Sequence, residues 1–127
     1  MTLLIDTQIA FWVALDLPKL PAAARQRIAN ASVVYVSAVS LWEIGMKVST
    51  CKLKLRMSTS DLEAKLAASN FVPLALTWGH AIRAYDVAPF HRDPFDRLLL
   101  AQAVTEPLHL LTTDESLKSY SSLVITV

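Results

Sequence analysis

Only two glycines, Gly45 and Gly79, occur among the 127 residues, together with a single cysteine, Cys51. Two isolated glycines cannot build a glycine-rich phosphate loop, which excludes a dinucleotide-binding or P-loop fingerprint. A lone cysteine excludes an internal disulfide framework and fits a reducing, cytoplasmic compartment, with a packed or inert thiol as its ordinary role. No apolar run approaches the roughly 20 residues that a membrane span needs. Asp6 and Gln8 interrupt the N-terminal apolar run, and no basic segment precedes it, so a signal peptide is not expected either. Charge of one sign is also lacking: 12 Lys and Arg against 11 Asp and Glu leave a net charge of +1. Contact with nucleic acid must therefore rest on local patches rather than on a global basic field. The three histidines, His80, His91 and His109, show no paired spacing that would suit zinc.

What the chain does have is apolar material: 54% of its residues are hydrophobic, enough at this length for one domain, residues 1–127, with a real core. Apolar periodicity switches repeatedly between short strand-like runs and longer helical ones. Strands are expected at Leu3 to Ile5, Val33 to Val36, Phe71 to Leu76, Leu108 to Leu111 and Leu123 to Val127. Helices are expected at Thr7 to Leu15, Pro21 to Ala31, Ala38 to Ser49 behind a Ser37 cap, from Ser58 or Ser60 to Ser69, Thr77 to Tyr85, Asp93 to Val104, and briefly Asp114 to Lys118. The helix from Ala38 is apolar almost all round and is expected to be mostly buried. Strands apolar on both faces, alternating with helices, imply a parallel sheet covered on both sides.

Against this apolar background, four of the eleven acids fall in unusual places. Asp6 and Asp114 directly follow strands, Glu43 lies two turns into an apolar helix, and Asp96 lies in the first turn of another. Ionised carboxylates are almost never buried unless they are paired or bind a metal. In an open parallel sheet the ligand crevice lies beyond the carboxyl ends of the strands, where the strand order reverses. Asp6 and Asp114 become neighbours there if their strands are adjacent, and all four acids can reach one rim. Ordinary explanations stand beside this one. Asp6 and Asp114 are also placed to cap helices, Glu43 could answer Ser40 in a capping box, and Asp93 followed by Pro94 is a good helix start. Asp96, by contrast, points the way the core side chains point.

The segments Leu4-Ile5-Asp6-Thr7, Ser37-Ala38-Val39-Ser40-Leu41-Trp42-Glu43-Ile44, His91-Arg92-Asp93-Pro94-Phe95-Asp96-Arg97-Leu98-Leu99-Leu100-Ala101-Gln102-Ala103 and Leu111-Thr112-Thr113-Asp114 closely resemble the PIN-domain ribonucleases, above all the VapC-like toxins of bacterial toxin–antitoxin pairs. The resemblance spans essentially the whole chain. It implies a three-layer α/β/α sandwich with a five-stranded parallel sheet, a Mg²⁺ or Mn²⁺ site, and endonucleolytic cleavage of RNA. Carried over residue by residue, it places the catalytic and metal-holding acids at Asp6, Glu43, Asp96 and Asp114, with Asp93 accessory. Thr7, Thr112 and Thr113 match supporting hydroxyls that could equally serve as helix caps. The resemblance further implies a homodimer and a VapB-like antitoxin lying across the groove.

Oxygen ligands suit a hard cation that keeps several waters, so Asp6 and Asp96 are expected at or near the metal. Glu43 and Asp114 would then hold waters or a second ion, and one of them would orient the metal-activated water that attacks the phosphate. Since an acidic pocket repels RNA, cations must hold the strand around it. Lys47, Lys52, Arg92 and Arg97 are candidates, as are Lys54, Arg56 and His91; Arg97 could instead pair with Asp93. Stacking could come from Trp12, Trp42 or Phe90, although Trp42 more often belongs in a core. The stretch Ile9 to Val13 is either core or an exposed association patch. A DNA nuclease, a phosphatase or a non-catalytic binding domain could carry the same four acids.

Overall fold

The computed structural model describes residues 1–127. Five short strands, β1 (Thr2–Ile5), β2 (Val33–Ser37), β3 (Val72–Leu74), β4 (His109–Thr112) and β5 (Val124–Thr126), form one sheet in the order β3-β2-β1-β4-β5. Every pairing is parallel, as the strands' apolar faces require. Chain order runs outward from β1 through β2 to β3, then returns to place β4 on the other side of β1. The strand order therefore reverses between β1 and β4, which opens a crevice at their carboxyl ends. Register fixes what stands there: Ile5 lies opposite Leu111, and the Asp6 amide donates to the Leu111 carbonyl at 3.0 Å.

Six α-helices connect the strands: α1 (Thr7–Ala14), α2 (Ala22–Asn30), α3 (Ala38–Ser49), α4 (Thr59–Ala68), α5 (Trp78–Val87) and α6 (Pro94–Thr105); a 3₁₀ segment, Glu115–Tyr120, replaces the expected short helix. Alternation along the central strand splits the core into two layers. Leu3 and Ile5 join Ile9, Ala10, Phe11, Ala24, Leu62 and Leu66 on one face of the sheet. Leu4 points the other way, into Leu99, Leu100, Ala103 and Leu110. The result is the α/β/α sandwich. The stretch Ile9 to Val13 belongs to this core, with Ile9, Ala10 and Phe11 buried and Trp12 and Val13 packed against them.

β3 is shorter than its apolar run predicts because Pro73 lies within it, and a residue with no N–H is tolerated only at a sheet edge, where β3 sits. The expectation of a mostly buried α3 is corrected: only Val39, Ser40, Glu43 and Ile44 are buried, while Trp42 is 63% exposed and stands edge-to-face with Phe95, at 5.7 Å between ring centroids. α5 begins with a reciprocal cap. The Thr77 hydroxyl accepts from the His80 amide, and His80 Nδ1 accepts from the Thr77 amide. With Nδ1 accepting, Nε2 is left to donate to the Glu106 carboxylate, which ties α5 to α6.

The shortage of glycine shows at three helix ends. α1, α3 and α4 each close with the chain in the left-handed region, at Asp16 (φ 50°), Cys51 (φ 60°) and Asn70 (φ 62°). In each, two amides turn back onto carbonyls of the last turn; for α3 these are Cys51 to Val48 at 3.1 Å and Lys52 to Lys47 at 2.8 Å. Glycine is the usual occupant of such a position, and asparagine an occasional one.

Candidate active site

Each functional side chain is positioned by the end of a secondary-structure element. Asp6 follows β1 and caps α1, with Oδ1 accepting from the Ile9 amide at 2.8 Å, while Oδ2 accepts from the Thr112 hydroxyl at 2.6 Å. Thr112, the last residue of β4, uses the same hydroxyl oxygen to accept from the Asp114 amide at 3.0 Å. One buried threonine thus joins the two acids across the strand-order reversal. Asp114 Oδ1 accepts from the Ser116 amide and hydroxyl, at 2.9 and 2.7 Å, at the start of the 3₁₀ segment. The capping and functional explanations of these acids are therefore not exclusive, because each cap fixes the carboxylate.

Asp93 caps α6 through Phe95 and Asp96, with Pro94 at the first helical position, and so sets the first turn from which Asp96 projects. Asp96 Oδ2 contacts His91 Nε2 at 3.1 Å, and the His91 ring packs edge-on to Tyr120. Glu43 comes from the buried face of α3 and takes no part in a cap: Ser37 caps that helix, and Ser40 instead accepts from the Thr7 hydroxyl at 3.0 Å. The Glu43 carboxylate meets Lys47 Nζ at 2.8 Å.

Asp6, Glu43, Asp96 and Asp114 line one cavity of about 240 Å³, with Thr7, Thr113 and Lys47 in its wall and Gln8, Phe11, Ile44 and Leu53 completing it. Burial pushes the Asp6 carboxyl above its ordinary range, against the lowering effect of its bonds to Thr112 and Ile9, and Glu43 and Asp114 add to the rise. Burial likewise pushes Asp96 up to about 6, with the His91 contact opposing and the Asp93 and Glu43 charges reinforcing. The bond to Glu43 holds Lys47 above its usual value, against partial desolvation, with help from the Asp93 and Asp96 charges. In both acids burial is the main cause of the rise and neighbouring carboxylates add to it, a combination that a nearby cation would oppose.

No three of the acids converge closely enough to clasp an ion by themselves. Mg²⁺ takes only one or two direct carboxylates and keeps several waters, so a spread, all-oxygen set fits that ion better than it fits a fully dehydrated cage. No thiolate lines the cavity, and the one nearby imidazole, His91, is engaged with Asp96, so the paired histidine or cysteine donors of a zinc centre are not assembled.

The expected cations divide. Lys47 is in the cavity wall; Lys52 lines an adjoining cleft of about 430 Å³ with Lys47, Thr50, Asp93 and Phe95; and Arg92 is exposed beside Asp93. Arg97 is not brought to the acids. Its Nε donates to the Ala84 carbonyl at 3.3 Å and its guanidinium lies 5.7 Å from the Tyr85 ring, so it braces α5 instead of pairing with Asp93. Two features escaped the sequence. Ser40, considered only as a cap partner, is fully buried behind the cavity, where it accepts from the wall residue Thr7, signalled by its position three residues before Glu43 on one helical face. Trp78, Ile82 and Tyr85, at 91%, 67% and 74% exposure, form an outward apolar stripe on α5, signalled by spacings of four and three.

An open parallel α/β sandwich with an acidic, all-oxygen crevice at its strand-order reversal defines the class of domain. The PIN domain family matches residues 3–123, and the chain belongs to that family. Ribonuclease VapC22 of Mycobacterium tuberculosis is 28% identical over 120 residues, which cover 94% of this chain and 92% of that protein. Among solved structures, VapBC2 of Rickettsia felis bound to a promoter DNA fragment has a chain that superposes with a TM-score of 0.68 at 16% identity, covering 100% of this chain and 98% of that one. A toxin–antitoxin complex from Klebsiella pneumoniae gives 0.69 at 18% identity, covering 97% and 95%. These two likenesses are of fold.

Proposed function

We propose that the protein is a Mg²⁺- or Mn²⁺-dependent endoribonuclease and the toxin of a toxin–antitoxin pair. The observation that carries this reading is the delivery of four carboxylates, from β1, α3, α6 and the β4 end, to one cavity at the strand-order reversal; membership of the PIN family and similarity to a ribonuclease support it. Asp6 and Asp96 would hold the ion, with Glu43 and Asp114 completing its surroundings. When bound, the ion supplies positive charge and Lewis acidity beside the scissile phosphate. Asp114, at the exposed rim with one oxygen tied to Ser116, orients the attacking water and draws off its proton. Attack at phosphorus in line with the 3′ oxygen breaks the P–O3′ bond, and the products are a 5′-phosphate and a 3′-hydroxyl. Thr112 keeps Asp6 and Asp114 in register throughout, and Asp93 keeps the first turn of α6 in place.

Lys52 and Arg92 at the rim would meet the strand's phosphates, and exposed Trp42 offers a stacking face. The α5 stripe of Trp78, Ile82 and Tyr85 is the surface a second copy would cover, and a small antitoxin would close the acidic groove. No helix is long and apolar enough to cross a membrane, and the lone exposed thiol suits a cytoplasmic site of action. The test is incubation of a structured RNA pool, single-stranded DNA and a phosphomonoester with the protein and with Asp96→Asn, in Mg²⁺ and in chelator. Cleavage of RNA alone, by the unaltered protein with metal alone, is expected. Cleavage that survives chelation or Asp96→Asn would overturn the assignment of the site, and equal cleavage of DNA would overturn the substrate.

A further inference from the structure

Of 12 Lys and Arg and 11 Asp and Glu, only one pair meets: Lys47 Nζ to Glu43 Oε2, at 2.8 Å; the other two acid contacts are with His80 and His91. That single pair lies in the acidic cavity. Its spacing of four residues is that of an ordinary helix-surface contact, worth little where both partners are solvated. Here they are not equivalent. The Glu43 side chain is 7% exposed and that of Lys47 45%, so the core fixes the acid and the ammonium reaches it from solvent. Taking the ammonium away would leave a buried carboxylate without a partner, unless another cation replaced it. Lys47 also lines the adjoining cleft, which Glu43 shares and to which Thr50, Lys52 and Asp93 contribute; Asp93 there gives the flexible four-carbon stem of Lys47 a second place to put the charge. The turn that closes α3 holds the Lys47 carbonyl through the Lys52 amide at 2.8 Å, so the side chain can move while the backbone stays.

We propose that Lys47 is a tethered counter-ion of the site: its ammonium neutralises Glu43 when the crevice holds no divalent cation, and turns to the adjoining cleft when one enters. This rests on the reading of the four acids as a cation site. A divalent ion and an ammonium a few ångströms apart repel, so the ion binds in competition with a cation the chain carries itself. The device lets the protein fold around buried carboxylates before metal arrives, and it weakens metal binding in return.

The experiment is titration of Mn²⁺, with free ion read by electron paramagnetic resonance, into the unaltered full chain, Lys47→Met and Lys47→Arg. Lys47→Met keeps the stem and removes the charge, and is expected to bind Mn²⁺ about tenfold more tightly, with Lys47→Arg close to the unaltered chain. Equal or weaker binding by a Lys47→Met protein with an unchanged circular dichroism spectrum would overturn the proposal. If that variant does not fold, the Lys47 ε-carbon resonance of the unaltered chain decides the matter: it shifts on addition of Mg²⁺ if the ammonium leaves Glu43, and an unmoved resonance at saturating Mg²⁺ refutes the displacement. Absence of Mn²⁺ binding by every protein at millimolar concentration would remove the cation site itself, an outcome distinct from bound Mn²⁺ that ignores Lys47.

Discussion

Asp96→Asn is expected to stabilise the metal-free protein at pH 8 while abolishing its activity. Burial pushes the Asp96 carboxyl up to about 6 in the folded chain, above the roughly 3.9 of an ordinary aspartate, so between these pH values the folded state binds more protons than the unfolded one. Stability therefore falls as pH rises from 4 to 6 and stays lowered above that range. A carboxyl raised from about 3.9 to about 6 corresponds to at most about 3 kcal/mol. Because the side chain remains 21% accessible, solvent screening reduces this to about 1–1.5 kcal/mol. For a chain of this length 1 kcal/mol moves the melting temperature by about 4 °C. Asparagine retains an oxygen to accept from His91 and carries no charge, so in chelator at pH 8 the variant should melt about 4–6 °C higher, and the difference should shrink toward zero by pH 4. Thermal denaturation followed by circular dichroism across this pH range reads both quantities. With saturating Mg²⁺ the order should reverse, because the ion stabilises only the chain that binds it, by about 2.7 kcal/mol at one hundred times its dissociation constant. A pH-independent gain, or none at pH 8, would show that an uncompensated buried charge is not what Asp96 carries.

Thr112→Val keeps the shape and removes the hydroxyl shared by Asp6 and Asp114; a loss of about 1–3 kcal/mol is expected, measured by denaturant unfolding, with a larger proportional loss of RNA cleavage. Cys51→Gly relieves a left-handed backbone position at the end of α3 and should stabilise the protein by roughly 0.5–1 kcal/mol, read as a higher urea midpoint at unchanged slope. Ile82→Asp places a charge in the middle of the exposed α5 stripe and should shift the protein to a monomer in sedimentation, with its melting temperature nearly unchanged once it is monomeric. A sedimentation profile identical to that of the unaltered protein would remove this face from any dimer.

The acids were legible because a carboxylate at the end of a buried strand violates what apolar surroundings tolerate, and because chain alternation alone placed Asp6 and Asp114 on the same edge of a parallel sheet. Their adjacency depended on β4 lying beside β1, which no local pattern specifies. Trp42 and the α5 stripe show the limit from the other direction. Periodicity reveals that a helix has an apolar face, but whether the same chain covers that face depends on packing: α6 takes the inner side of α5 and leaves Trp78, Ile82 and Tyr85 outside. Arg97 was misplaced for a similar reason. It follows Asp96 by one residue, and one residue on a helix is a rotation of about 100°, enough to turn it from the crevice toward α5. The ends of α1, α3 and α4 were legible to within one residue from where the apolar periodicity stops, although Asp16, Cys51 and Asn70 occupy the left-handed positions that a glycine more often marks.

The pairing of β1 with β4 also fixes when the crevice can form during synthesis of the chain. A ribosome that has completed the first hundred residues has already made Asp6, Glu43 and Asp96, yet the strand that anchors the Asp6 amide and supplies Thr112 does not exist. The nascent chain is thus a set of acids without a crevice. No crevice forms until β4 has emerged and paired with β1, and a fragment that stops before β4 lacks the threonine that joins Asp6 to Asp114.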